Sequence, residues 1–379
     1  MTALDCDFLI VGAGIAGASV AHFLAPHGRV VLLERESQPG WHSTGRSAAL
    51  FMASYGTPQV RALTLASRAF FDHPPAGFAE QAILAPRGAL FVAAPGQADL
   101  LDAQLALLAT QSAQACRLTP AQTLARVPVL RPGQVIGAAL EPDASDIDVH
   151  TLHQGFLRGA RRAGAQLVCD AEVAAAGRHD GAWQVQAGAR RFSAPVLVNA
   201  AGAWCDDVAR LAGVAPIGLQ PMRRAAFTFA PPAGLDVSGW PCVIDAGGQW
   251  YLKPDAGVLL GSPANADPVP PQDVQPEELD IATAIDRIQT ATTLTIRRPI
   301  RTWAGLRSFV ADGDLVGGFD AQVPGFFWVA AQGGYGIQTS AAMGEACAAL
   351  LRGLPLPAHI AGFGLSAAML SPARLHTGT

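Results

Sequence analysis

The chain has 379 residues, of which 50% are hydrophobic and 15% are charged, and its formal net charge is −4. This length exceeds what one hydrophobic core supports, so two domains are predicted, and neither needs to be one continuous segment. The weakly acidic balance gives no electrostatic reason to expect nucleic acid or an anionic membrane as a partner. The chain contains no run of 18 consecutive apolar residues, so no transmembrane segment is predicted.

The first chemical motif is a glycine-rich turn. The apolar run Phe8–Val11 predicts a buried strand, and Gly12, Gly14 and Gly17 then follow the G-x-G-x-x-G spacing of dinucleotide-binding turns. The first glycine permits the tight turn, the second lets the backbone approach a pyrophosphate, and the third lets a helix pack closely. The predicted helix Ile15–Leu24 would aim its free N–H groups at the phosphates.

An acidic residue completes the motif. The apolar run Val30–Leu33 predicts a second strand that ends at Glu34, 22 residues after Gly12. A carboxylate there can accept hydrogen bonds from a ribose 2′-hydroxyl, whereas it would repel a 2′-phosphate. The polar loop that follows, 38–49, contains an arginine and several hydroxyl groups that could line the rest of the dinucleotide, with a plain surface loop as the alternative.

The remaining chain alternates between helical and strand-like patterns. Helices are predicted over 59–71, 97–111, 119–127, 150–164, 205–212, 277–290 and 339–352. Strands are predicted over 88–94, 166–169, 183–186, 194–199, 225–229, 243–244, 250–252, 258–260 and 326–331. The β-rich block from about 219 to 309 predicts a second, sheet-based domain, and the chain returns to the dinucleotide domain near its end.

The cysteines and the first residues indicate the compartment. Six cysteines are scattered without C-x-x-C or metal-type spacing, which predicts reduced thiols and no bound metal. The first seven residues lack the basic region of a signal peptide, so a cytoplasmic protein is predicted.

Several blocks together resemble the D-amino-acid oxidase family of FAD enzymes. They are the glycine turn with Glu34, the loop 43–47, the central segment 198–206 and the segment 331–339. Within that family, the blocks 55–64, 252–257, 261–268 and 302–309 closely resemble bacterial FAD-dependent D-arginine dehydrogenases. The similarity covers nearly the whole chain.

The resemblance implies an α/β (α+β mixed) fold, with a Rossmann-type FAD-binding domain interleaved with a β-sheet-based substrate domain. The FAD-binding domain would comprise 1–77, 147–218 and 315–379, and the substrate domain 78–146 and 219–314. FAD would be held without a covalent bond. The implied cofactor residues are Gly12, Gly14, Ile15, Ala16, Gly17, Glu34, Arg35, Ser43, Thr44, Arg46, Ser47, Ala48, Ala49, Val173, Ala201, Gly202, Trp204, Gly305, Arg307, Gly333, Gly334, Tyr335, Gly336, Ile337 and Gln338.

The resemblance also implies a site for an amino acid. Arg224 and Arg307 match the family's carboxylate-binding positions, and the planar fork of arginine suits a carboxylate. Tyr251 would donate to the same carboxylate, and Tyr55 would cover the substrate as part of a mobile lid. Gly334, with Tyr335 and Gln338, would lie near the flavin ring. Surface charge is the alternative for a single arginine, and ordinary core packing is the alternative for a single tyrosine.

Two positions depart from the D-arginine dehydrogenase pattern. Leu50 stands where a histidine is expected, and Ala89 stands where a glutamate would receive a cationic side chain. An apolar substrate pocket is therefore predicted, and it comprises Leu50, Met52, Ala89, Cys242 and Ile244. It would favour neutral D-amino acids, unless another acid such as Glu80 replaces the missing glutamate.

The implied reaction is FAD-dependent oxidation of a D-amino acid by hydride transfer from Cα to flavin N5, followed by hydrolysis to a 2-oxo acid and ammonia. The electrons would pass to an acceptor other than O₂, such as a respiratory-chain quinone. No side-chain base is predicted, and His42, the histidine nearest the cofactor loop, is assigned a structural role. Three alternatives stay open: an O₂-using oxidase of the same family, an NAD-dependent Rossmann enzyme, and a flavoprotein-fold binding protein without turnover.

Overall fold

The structure is a computed structural model that describes residues 4–376, in which the strands form four sheets. The sheet that carries the glycine turn has six strands. In spatial order they are Gln166–Val168, Val30–Leu33, Phe8–Val11, Val196–Asn199, Phe326–Ala330 and Val316–Phe319. All neighbours are parallel except the last pair, which is antiparallel.

This sheet is buried on both faces. Side chains alternate between the faces of a strand, and accordingly Ile10 and Val198 belong to one hydrophobic core while Leu9 and Leu197 belong to another. The first core is covered by helices, and the second by a four-stranded sheet and a short helix. The covering helices of the first core are Ile15–Leu24, Val149–Arg162 and Ser340–Leu351. The elements of the second are Leu4–Asp5, Val173–His179, Ala182–Ala187, Arg190–Ala194 and the helix Cys205–Leu211.

A nine-stranded sheet forms the second large layer. In spatial order its main path is Asp267–Pro268, Gln220–Phe229, Val258–Ser262, Tyr251–Asp255, Cys242–Asp245, Ala89–Ala93, Gly137–Glu141 and Cys116–Leu118, and Arg301–Phe309 pairs with Gln220–Phe229. Its pairs are antiparallel except that between Cys242–Asp245 and Ala89–Ala93. The helix Glu278–Ala291 packs against one face through Ile281 and Ile288.

The fourth sheet is small and joins the two larger layers. Its strands are Leu50–Phe51, Ser145–Ile147 and Leu84–Pro86. The remaining α-helices are Pro58–Asp72, Ala98–Ala109, Pro120–Arg126, Ala358–Ala361 and Ala367–Leu370. Short 3₁₀ turns occur at Ala25–His27, Ser43–Arg46, Pro132–Gln134, Gly202–Trp204 and Pro372–His376. Within residues 4–376, no helix has both the length and the apolar character needed to cross a membrane.

The α/β (α+β mixed) fold predicted from the sequence is confirmed. The strands Phe8–Val11 and Val30–Leu33 and the helix Ile15–Leu24 have the predicted bounds. The long strand Arg301–Phe309 was not among the predicted strands, because its exposed first half lacks a clear apolar period. The division into two discontinuous domains stays a prediction. The six cysteines are all unpaired thiols.

Candidate active site

The glycine turn has a backbone that only glycine can adopt. Gly12 has φ of +99°, and a Cβ there would lie 2.4 Å from the carbonyl oxygen of Ala200. A Cβ on Gly17 would lie 1.9 Å from the carbonyl oxygen of Gly12, so the third glycine sets the contact between helix and turn. A Cβ on Gly14 would lie 3.2 Å from the Thr44 hydroxyl, a tight contact that the missing side chain avoids.

Glu34 closes the turn from the neighbouring strand. One carboxylate oxygen accepts the Ala13 N–H at 3.1 Å and the other accepts the Glu36 N–H at 3.0 Å. The residue is 7% exposed, and burial raises the pKa of its carboxyl group. Each carboxylate oxygen has a further lone pair, so the group can also accept hydrogen bonds from a ribose in the adjoining groove.

A long groove begins at this turn, and we call it the cofactor groove. It encloses about 1190 Å³ of space, part of which is open to solvent. Thirteen of the predicted cofactor residues line it: Gly12, Gly14, Ile15, Ala16, Glu34, Arg35, Ser43, Thr44, Val173, Ala201, Gly202, Trp204 and Gly333.

The outer end of the cofactor groove is aromatic and cationic. The Arg35 guanidinium lies 4.9 Å from the ring centre of Trp204, and the His42 ring centre lies 4.7 Å from the same indole. His42 Nε2 is also 2.8 Å from a carboxylate oxygen of Glu36. His42 is therefore engaged at this end of the groove by Trp204 and Glu36. A flat aromatic group such as a nucleobase could pack here.

A second pocket of about 660 Å³ continues from the first, and we call it the inner pocket. The two share Ile15, Ser43, Thr44, Leu306, Gln332 and Gly333. Further predicted cofactor residues line the inner pocket, and they are Arg46, Ser47, Ala48, Gly305, Arg307, Gly334, Gly336 and Ile337. One continuous space therefore runs from the glycine turn to the face of the nine-stranded sheet.

The polar loop is fixed between the two sheets. Ser43 Oγ donates to the carbonyl oxygen of Leu306 at 2.6 Å, and the Ile15 N–H donates to Thr44 Oγ1 at 3.0 Å. Arg46 donates to the carbonyl oxygens of Val274 and Ala304. The loop predicted to line a dinucleotide is thus held in place by bonds that its own sequence does not reveal.

Four predicted cofactor residues do not line either pocket. Gly17 packs the helix against the turn, and Ala49 borders a separate cavity described below. Tyr335 packs edge-on against the ring of Tyr55 at 4.9 Å, and burial raises its pKa to about 12. Gln338 is 2% exposed, and its side-chain amide bonds to the backbone of Met52 and to the Thr64 hydroxyl. These contacts stabilise the walls of the site.

Arg224 and Arg307 reach the inner pocket from neighbouring strands. Arg224 lies opposite Gly305, and Arg307 follows two residues later on that strand, so both side chains leave the same face of the sheet. Tyr251 and Gly334 line the same pocket. The sequence-predicted group around a substrate carboxylate is therefore brought together in space.

Neither guanidinium has an acidic partner. Within residues 4–376, no carboxylate lies within ion-pairing distance of Arg224 or Arg307. Arg224 donates to the carbonyl oxygen of Asn265, and burial together with the charge of Arg307 lowers its pKa to about 10. By contrast, the adjacent Arg223 faces the opposite side and pairs with three acids, namely Asp267, Glu277 and Asp280. The inner pocket thus holds two positive charges without a counter-ion.

The residues predicted to form an apolar substrate pocket pack together in a buried cluster, and their contact with a substrate side chain stays a prediction. Met52 and Ala89 belong to one buried core, and Leu50, Tyr55 and Ile244 pack against it. Cys242 lies opposite Ala89 on the adjacent strand, and burial raises the pKa of its thiol to about 12. None of these residues lines the open part of the inner pocket.

The structure also reveals polar residues near this cluster that sequence reasoning missed. Glu141 lies opposite Ala89 and is 1% exposed. Lys253 is 5% exposed and donates to Asp146 at 2.7 Å, and Arg87 donates to the same carboxylate. Lys253, Asp146 and Arg87 border a further cavity next to Ala49, and Glu141 is not part of its lining. Only long-range strand pairing brings them here, so no local motif could have identified them.

Comparison with known proteins then identifies the family. The profile of the FAD dependent oxidoreductase family, abbreviated DAO, matches residues 7–350. The chain belongs to this family. The predicted membership in the D-amino-acid oxidase family and the predicted FAD cofactor are both confirmed.

Relatives in the DAO family share about a quarter of their residues with the chain. Human mitochondrial dimethylglycine dehydrogenase is 25% identical over 68% of this chain, which spans only 30% of the length of that relative. FAD-dependent oxidoreductase domain-containing protein 1 of Bos taurus is 25% identical over 91% of this chain and 81% of its own length.

Solved structures share the DAO fold. L-proline dehydrogenase from P. horikoshii superposes with a TM-score of 0.83 at 20% identity, covering 100% of this chain and 99% of its own. Glycine oxidase from Geobacillus kaustophilus gives a TM-score of 0.81 at 22% identity, covering 93% of this chain and 95% of its own. At these identities the likeness establishes the fold.

Proposed function

We propose that this DAO-family protein is an FAD-dependent D-amino acid dehydrogenase whose carboxylate site is formed by Arg224 and Arg307. The observation that carries the proposal is the pair of half-buried guanidiniums in the inner pocket, which have no carboxylate of residues 4–376 within ion-pairing distance. Burying an unpaired charge is costly, so such a pair is stable only if an anion joins it or solvent enters. A substrate carboxylate is an anion of the right shape, because it can bind each arginine through two oxygens.

The residues of this chain position the substrate. Arg224 and Arg307 would orient the carboxylate, with Tyr251 donating a third hydrogen bond from the same pocket. Such positioning would hold the substrate with its reacting atoms close together and aligned. Bound FAD supplies the redox chemistry by accepting two electrons. The Cα–H bond breaks as its hydrogen leaves with both electrons, the amine loses a proton to solvent, and water then converts the imino acid to a 2-oxo acid and ammonia.

The D configuration and the side-chain preference are finer proposals. The D configuration is supported by the resemblance of the blocks around Tyr55, Tyr251 and Arg307 to D-arginine dehydrogenases. A preference for neutral, apolar side chains is supported by the cluster around Met52 and Ala89, in which Ala89 offers no charge to a cationic side chain. Relatives whose names mention L-proline, glycine or sarcosine make other substrates in the family a real alternative.

The decisive experiment is anaerobic mixing of the FAD-loaded protein with a panel of D- and L-amino acids while the flavin absorbance is followed. Bleaching by neutral D-amino acids supports the proposal, and bleaching only by L-amino acids, glycine or N-methyl amino acids contradicts the D assignment. No bleaching with any of them would favour a binding protein without turnover. Peroxide formation in air at the rate of bleaching would favour the oxidase alternative over an acceptor such as a quinone.

A further inference from the structure

The Tyr55 hydroxyl is carried by a short turn, residues 52–55, whose first residue is fixed by Gln338. The Tyr55 N–H donates to the Met52 carbonyl oxygen at 3.3 Å, which closes the turn. The Met52 N–H donates to Gln338 Oε1 at 3.2 Å, and Gln338 Nε2 donates back to the Met52 carbonyl oxygen at 3.4 Å. Since Gln338 follows the glycine-rich segment that lines the inner pocket, this end of the turn belongs to the flavin side of the site.

The third residue of the turn is fixed from the opposite side by Glu141. Ser54 Oγ donates to Glu141 Oε2 at 2.5 Å, and the Ser54 N–H donates to Glu141 Oε1 at 3.3 Å. Glu141 ends the strand Gly137–Glu141 of the nine-stranded sheet. The turn is therefore held between the two large layers of the molecule, by a side chain from each.

Glu141 is a buried carboxylate whose hydrogen bonds all come from this turn. No cationic side chain among residues 4–376 lies within ion-pairing distance of it, and its hydrogen bonds come from Ser54 and the Ala53 backbone. A buried carboxylate is tolerated only when donors satisfy it. Its removal would leave the Ser54 donors without partners, so the position of the turn depends on it.

We propose that Glu141 is a positioning residue of the substrate site, which holds the 52–55 turn so that the Tyr55 hydroxyl stays on Arg307 when a substrate carboxylate binds. This inference rests on the proposed function, and it assigns Tyr55 a fixed place instead of the free lid expected from the sequence. Glu141 itself does not touch the substrate in this proposal. Its effect on binding passes through Tyr55.

The test is a double-mutant cycle in the FAD-loaded protein, because coupling between two residues shows that one acts through the other. Glu141→Gln is combined with Tyr55→Phe, and anaerobic flavin reduction by D-leucine gives a Kd and a limiting rate for each variant. We expect Glu141→Gln to raise the Kd about tenfold in the wild-type background, with a smaller change in the limiting rate. In the Tyr55→Phe background the same substitution should change the Kd by less than about twofold.

Three further variants guard against a general loss of folding. Ser54→Ala should raise the Kd as Glu141→Gln does, and Ser54→Thr, which keeps the hydroxyl group, should leave the Kd near the wild-type value. Glu278→Gln, at an exposed acid far along the chain, should leave both constants at the wild-type values. FAD content and Tm are measured for every variant.

Equal effects of Glu141→Gln in both backgrounds would overturn the proposal. So would a loss confined to D-arginine and D-lysine, because it would mean that Glu141 binds the substrate side chain directly. If no amino acid reduces the wild-type flavin, the proposed function has failed instead. The same cycle is then measured through the flavin spectral shift on binding of a 2-oxo acid, and absence of coupling there overturns the positioning role separately.

Discussion

Nη1 of Arg307 donates a hydrogen bond of 2.9 Å to the hydroxyl of Tyr55, although the two residues are 252 positions apart. A guanidinium has five N–H donors, so this bond leaves most of Arg307 available to a carboxylate. Burial alone would raise the pKa of the Tyr55 hydroxyl, but the charges of Arg307 and Arg224 outweigh burial and hold that pKa below its usual value. The oxygen of Tyr55 thus partly compensates the cations until a substrate anion binds.

Removal of either arginine should therefore disable the enzyme. Arg307→Met and Arg224→Met should each lower kcat/KM for D-leucine. The loss should correspond to about 2–5 kcal/mol of transition-state stabilisation, because the substrate carboxylate would lose a charged partner. Steady-state kinetics with an artificial electron acceptor measure this. Arg301→Met, on the same strand but exposed, is the control and should have no effect. Near-normal kcat/KM in either pocket variant would show that the carboxylate binds elsewhere.

Glu34 should determine how firmly FAD is retained. Glu34→Gln keeps the size of the side chain but removes the carboxylate that would accept hydrogen bonds from the ribose hydroxyl groups. Its NH₂ group would also face the N–H of Ala13 or of Glu36, and two donors cannot bond to each other. We expect FAD to dissociate more readily from this variant on dilution, as measured by flavin fluorescence. Glu278→Gln, at an exposed acid, should retain FAD normally. Unchanged FAD affinity in Glu34→Gln would place the ribose at another residue.

The flavin should also be free of covalent attachment. Denaturation of the wild-type protein should release intact FAD into the supernatant, because none of the six cysteines lines the cofactor groove or the inner pocket. Flavin that precipitates with the protein in acid would contradict this expectation.

Features with a local sequence signal could be predicted, whereas features that depend on pairing between distant strands could not. The run Phe8–Val11 and the glycines after it form a continuous local signal, and both the strand and the turn follow from it. Arg224 and Arg307 were found through resemblance, but that they leave one face of a sheet depends on the register between two strands far apart in sequence. Glu141 had no signal, because its relation to Ala89 arises only from such a register.

The side-chain preference can be tested at Ala89. Ala89→Glu introduces a carboxylate into the apolar cluster, so the ratio of kcat/KM for D-arginine to that for D-leucine should rise about tenfold for each 1.4 kcal/mol of interaction gained. Ala89→Gln is the matched control, since it adds the same volume to this fully buried position without the charge. A wild-type ranking already led by D-arginine would mean that another acid receives the side chain.

A buried histidine should make the protein sensitive to acid. His22 is surrounded by the rings of Phe23, Phe70, Phe78 and Phe156, and its Nδ1 has no hydrogen-bond partner among residues 4–376. Burial lowers the pKa of His22 from 6.5 to about 4. The unfolded chain therefore binds a proton on this residue at a higher pH than the folded protein does. Stability should fall as the pH drops from 6.5 to about 4, by up to about 3 kcal/mol.

His22→Leu should remove this part of the pH dependence, which urea unfolding at pH 7 and pH 4.5 would measure. His27→Leu, at an exposed histidine, is the control. Equal pH dependence in the wild type and in His22→Leu would mean that the acid sensitivity arises at other groups.

Lys253 is the one lysine in the sequence, and it lies beneath the surface on Asp146 within the nine-stranded sheet. An acylating reagent that targets side-chain amines therefore finds no accessible lysine on the native protein. It gains access only when the sheet opens around Lys253, and it then adds one acyl group to that side chain. The rate of acylation at Lys253, located by digestion and mass spectrometry so that other amines are not counted, would report the opening of the structure around this side chain, with no label or probe engineered into the chain.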